Sequence, residues 1–171
     1  MRGMTDQTTE PTQTWDPVPV VMDYYDAPLM GVAHYQGTPH AFLVCDEIYR
    51  KPTAQEQEEW GDDMVREWVY DLFSVPADML DKILEKQAIF ERWHQAWSAK
   101  RVGIEQHPAL PEDRERYDEL KAEVDPWKEG LQHLKPAHTM IGHFGCDPSV
   151  VPHGHSRWQH YQVLWQARPG Q

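Results

Sequence analysis

The stretch His143–His160, HFGCDPSVVPHGHSRWQH, gathers four histidines and one cysteine into eighteen residues near the end of the chain. Neutral imidazole is a favoured zinc ligand, and three histidines plus a water suit a catalytic site. His143, His153, His155 and His160 are therefore the candidate metal ligands. The spacing H-x2-C-x6-H-x-H contains no paired C-x-x-C, so ligation by Cys146 is less natural. Gly145, Pro148, Pro152 and Gly154 describe a loop that must lose chain entropy before its ligands can assemble. Asp147 is the one carboxylate within it that could orient a histidine. The expectation is a polar, flexible hairpin loop that binds zinc weakly at most, with no cofactor.

Strand alternation restricts which of these side chains can meet. In the final segment HYQVLWQA, Tyr161, Val163 and Trp165 share one face, taken as the core face, and His160 takes the other. Pairing Met140 with Val163 and Gly142 with Tyr161 keeps Met140 and Phe144 inward. It also sets His143 opposite His160, with His153 or His155 arriving from the loop. Cys146 shares the parity of Phe144 and points away from His143.

Other chemistry is sparse. Asp23 and Asp26 fall on opposite faces of a strand unless Asp26 lies in the turn, where such a carboxylate caps backbone. Cys45, within FLVC, reads as an inert small hydrophobe. No G-x-S-x-G, H-E-x-x-H, Walker or dinucleotide motif is present. Glu56, Glu58, Glu59, Asp62 and Asp63 form an acidic run with no basic residue inside it, and Trp60 sits among them. It reads either as a solvated face or as a docking surface for a basic protein with Trp60 as anchor.

The elements that must position these residues follow from pattern. VVMDYY (20–25) reads as a strand. LMGVAHYQGTPHAFLVCDEIY reads as a hairpin turning at Gln36-Gly37, with Tyr35 facing Thr38, Val32 facing Ala41 and Met30 facing Leu43. Both faces of this hairpin carry apolar residues, which predicts cover on both sides. Thr53 with Glu56 matches a capping box. EWVYDLFSVP could continue a helix from Thr53; the strand reading is preferred, because Val, Tyr, Phe and Val dominate and Pro76 stops it. From Pro76 to Arg101, Leu80, Ile83, Phe90, Trp93 and Trp97 form one helical stripe, with Pro76 in the first turn. A charged helix follows HPALPED, with Tyr117, Leu120 and Val124 inward, and Asp125-Pro126 reads as the start of a further helix. AHTMIGHFG and HYQVLWQA return to strand composition. The fold class expected is α+β: a mostly antiparallel sheet of about five to six strands, with two to four helices inserted between N- and C-terminal strands. The expected organisation is a disordered arm over 1–17 and one domain over 18–168.

Composition bounds the function. The 171 residues include eight tryptophans and are 40% hydrophobic, enough for a core. A net charge of −12, from 28 acidic and 16 basic residues, argues against binding nucleic acid or an anionic membrane. The start has no apolar signal segment, and no long apolar run follows, which points to the cytoplasm, with Cys45 and Cys146 as thiols.

The segments YYDAPLMGVAHYQGTPHAF, FERWHQAW and HPALPEDRERYDEL resemble those of a group of small bacterial proteins with no known activity. The resemblance covers about two thirds of the chain. It implies a bacterial, cytoplasmic protein and a strand at EWVYDLFSVP, and it implies no site residues. Two function classes remain. The first is a non-enzymatic interaction module of the immunity or regulatory type that docks a basic protein. The second is a small-ligand-binding protein or metal-dependent enzyme. For the ligand class, a pocket between sheet and helices is expected, with Tyr24, Tyr25, His34 and His40 nearby.

Overall fold

The computed structural model describes residues 14–146 and 160–170. Seven strands form one antiparallel sheet: β1 (Asp16–Pro17), β2 (Val20–Tyr25), β3 (Ala27–Tyr35), β4 (Thr38–Arg50), β5 (Val65–Ser74), β6 (His138–Cys146) and β7 (Tyr161–Ala167). Their order across the sheet is β1-β7-β6-β5-β4-β3-β2. Helix α1 (Ala54–Trp60) lies between β4 and β5, and α2 (Ala77–Ser98) and α3 (Arg114–Leu131) lie between β5 and β6. No helix among the described residues is long and apolar enough to cross a membrane.

The class is α+β as expected, with more strands than the five to six anticipated. One extra strand comes from the start of the chain. Pro17 and Pro19 cannot donate to a ladder, so the opening strand is broken at Pro17-Val18-Pro19. Asp16 and Pro17 pair with Val163 and Gln162 of β7, whereas β2 pairs with β3. Two residues thus carry the chain from one edge of the sheet to the other, and the sheet curls. The indole N–H of Trp165 on β7 donates to the His34 carbonyl on β3 at 2.8 Å, tying the curl together. Of the arm expected over 1–17, Asp16–Pro17 pairs in the sheet, and residues 1–13 lie outside the described residues.

Inside the curl, Phe42, Tyr70, Phe144 and Trp165 meet ring to ring at centroid distances of 5.0–6.0 Å. Val18, Ala33, Leu72 and Val163 complete this buried cluster. Tyr70 donates to the Pro28 carbonyl at 2.7 Å, which satisfies a hydroxyl that burial keeps well above the ordinary tyrosine range. On the outer face, Val20 and Val32 pack on Ile83 of α2 and Val124 of α3. Ala41 and Phe73 pack on Leu131. The β3–β4 hairpin is thus covered on both faces, and its pairs Tyr35–Thr38, Val32–Ala41 and Met30–Leu43 are those read from the sequence.

The capping box at Thr53 is present, with Glu56 N–H donating to Thr53 Oγ1 and Thr53 N–H to Glu56. EWVYDLFS is a strand, as expected. Pro76 is the N-cap of α2 and not part of its first turn. Helix α3 runs unbroken through Pro126, where a new helix was expected. Tyr117, Leu120 and Val124 before the proline and Leu131 after it are all buried, so packing on both sides holds one axis despite the lost hydrogen bond.

Candidate functional site

A groove of about 620 Å³ lies between β2 and the paired helices α2 and α3. That lies within the roughly 300–1,000 Å³ of small-ligand sites. Its floor comes from the helical repeat. Ile83, Lys86, Gln87, Phe90 and His94 recur on one face of α2, and Tyr117, Lys121, Val124 and Lys128 on one face of α3. The third wall is β2, from Val20 to Tyr24, an end strand of the sheet. His107 and Pro108, joined by a cis peptide, close one end.

Ion pairs hold the two helices in place. Arg116 of α3 grips Glu85 of α2 through two bonds of 2.7 and 2.8 Å, and Lys82 pairs with Glu123. Arg92 of α2 holds Asp113 through bonds of 3.0 and 2.9 Å. Arg114 donates to the carbonyls of Gln106, His107 and Ala109, which fixes the His107-Pro108 end. There the rings of His94 and His107 rest on Phe90 and Trp93, with His107 edge-on to Trp93 at 4.6 Å.

The groove's charge differs in sign from the protein's. Lys86, Lys121 and Lys128 line it against one lining carboxylate, Asp23, in a chain of net charge −12. Lys121 pairs with Asp125 one turn along. Lys86 is half-buried, with its ammonium 5.0 Å from the centre of the Tyr117 ring. Desolvation, helped by the neighbouring Lys121 charge, holds Lys86 below the usual lysine range, and Asp125 opposes the shift. Partial burial pushes Asp125 upward, but Lys121, Lys128 and Lys86 outweigh it and leave Asp125 below the ordinary carboxylate range. Three ammoniums thus share one carboxylate at this end.

The register assumed between His143 and His160 is not the one the strands adopt. His143 pairs with Leu164 and Cys146 with Tyr161, a register displaced by four residues from the one anticipated. At about 3.3 Å per residue, His143 and His160 are offset by roughly 13 Å along the strands. An even displacement preserves facing, so Tyr161, Val163, Trp165, Met140 and Phe144 still pack into the inner cluster. His143 Nε2 lies 3.0 Å from Gln166 Oε1 and 4.0 Å from Glu67 Oε1. His153 and His155 lie outside the described residues, and no group of three or more histidine, cysteine or acidic residues suited to a metal occurs among those described.

The acidic run is divided. Glu56 is bound by Arg50 through bonds of 2.7 and 2.8 Å, and Arg50 also holds the buried Glu67 at 2.6 Å. Glu58, Glu59, Asp62 and Asp63 are exposed, and Trp60 is 64% exposed beside them. Of the aromatic and histidine residues expected at a pocket, Tyr24 lines the groove. Tyr25 is exposed at the strand end, His34 holds Trp165 through its carbonyl, and His40 packs against Tyr35 and His138. Asp26 does lie in the β2–β3 turn, at φ 61°. Cys45 lies within β4 at a bulge and reaches the surface. Its sulfur is turned onto the Val69 carbonyl, and partial burial together with Asp71 pushes the thiol up to about 11, so it stays protonated at neutral pH.

Sequence reasoning missed the groove's lysines. Their signal was Tyr117-x3-Lys121-x2-Val124-x3-Lys128, in which cations share a face with buried apolar residues. No protein-family model, curated protein or solved structure matches the chain.

Proposed function

We propose that the protein binds a small ligand in the groove between β2 and helices α2 and α3. The observation that carries this reading is the groove itself, with an apolar floor of Val20, Ile83, Phe90 and Val124 below a cationic rim. Such a combination, apolar surface with a few convergent polar groups, is what small-molecule sites present. The test is a melting-temperature screen with small carboxylates, phosphates, alcohols and amines. At least one class should raise Tm in the native chain and not in Gln87→Trp, which fills the groove from its wall. A screen in which no class separates the two proteins contradicts the reading.

A second reading is a docking surface for a basic protein at Trp60, Glu58, Glu59, Asp62 and Asp63. It is favoured by the exposure of Trp60 amid four carboxylates. Glu56 contributes less to it than its neighbours, because Arg50 already neutralises its carboxylate. Copurification at low salt, lost in Trp60→Ala, is the supporting result; a protein that purifies alone contradicts it.

A further inference from the structure

We infer that the groove takes an amphiphilic anion: one carboxylate or phosphate head held by Lys86, Lys121 and Lys128, with a hydrocarbon body laid over Met22 and Phe90. This rests on the groove being a ligand site and names the chemistry of its ligand. Three ammoniums line the groove against one lining carboxylate, Asp23, with Asp125 beside them, which leaves a local surplus of positive charge next to the apolar lining. Asp125 is committed to Lys121, one turn along the same helix. Lys86 rests against an aromatic face and makes no ion pair with a described residue. Its ammonium is desolvated without full neutralisation, and an arriving anion would supply the missing charge. Val20 and Ile83, at 2% exposure each, and Val124, at 1%, form the buried cluster beneath the groove, and the partly exposed Met22 and Phe90 supply the apolar surface that the body of the ligand meets. A cation would meet three like charges, and a neutral alcohol would leave Lys86 without an ion-pair partner.

The test is calorimetric titration of the full chain with decanoate, decyl phosphate, decanol and decyltrimethylammonium, all below their micelle concentrations. Decanoate or decyl phosphate should bind at least roughly tenfold more tightly than decanol, and the cation should bind most weakly. The two anionic arms separate a carboxylate site from a phosphate site. In Lys86→Gln/Lys121→Gln the advantage of the anions over decanol should vanish while decanol binding remains. Both substitutions are at solvent-reaching helix positions, and circular dichroism of the double variant checks its fold. Equal binding of decanol and the anions to the native chain overturns the inference but leaves a ligand groove. Anion binding that the double variant retains also overturns it. Absence of binding by all four probes overturns the inference, and the ligand-site reading then stands or falls on the Gln87→Trp screen.

Discussion

Tyr70 sits at the centre of the curl, touching Phe42, Phe144 and Trp165, and its hydroxyl reaches the backbone of Pro28. Tyr70→Phe keeps the rings and leaves a buried carbonyl unpaired, so it should cost about 1–2 kcal/mol in urea unfolding, with the m-value unchanged. Gly31 is a sharper case. A Cβ there would lie 2.1 Å from the Val20 carbonyl and 2.8 Å from Phe42. Gly31→Ala must push β2 off β3 and should cost about 3 kcal/mol or more by the same assay. Because β2 is also a wall of the groove, that variant should lose ligand response as well. Glu56 gives a pH signature. Its hydrogen bonds from Arg50, and then from Thr53, lower it from 4.5 to about 2. A depressed carboxylate contributes stability above its unfolded value, and that contribution fades as pH falls from 4.5 toward 2. Glu56→Gln should therefore melt below the native chain at pH 7, and the gap should close over that acidic window. A gap independent of pH would assign the effect to the cap alone.

At the scale of elements, the β3–β4 hairpin was legible because the turn residues and both apolar faces agree on one register. Gln36 and Gly37 adopt the positive φ values of 51° and 78° that the turn demands. The β6–β7 register was not legible. Alternation fixes which face a side chain takes but not how far one strand slides along another, and a slide of four residues satisfies it equally. That freedom is what made His143 and His160 look like partners. Pro126 misled in a different way: the local rule for proline is overridden by burial of Val124 on one side and Leu131 on the other. Pro126→Ala restores a donor to the backbone of α3. It should raise Tm by a few degrees, corresponding to about 1 kcal/mol. A lower Tm would mean that the packing of α3 depends on the proline ring itself.

At the scale of the whole molecule, curling fills the interior of the sheet with rings and leaves the ligand-sized space outside it, between β2 and the helices. The sequence carried the elements that build this space but not its charge. A lysine on an amphipathic helix reads as solvated, and only the meeting of α2 and α3 brings Lys86 to Lys121 and Lys128. Where a ligand settles is the sharpest test of the groove. Backbone amide shifts of the isotopically labelled full chain, followed during titration with decanoate, locate it. A ligand in the groove should give saturable changes confined to Val20–Tyr24, to the Ile83–His94 face of α2, to His107 and to the Tyr117–Lys128 face of α3. Changes centred on Trp60 or on the inner face of the curl, or no changes at millimolar decanoate, would contradict a ligand site there.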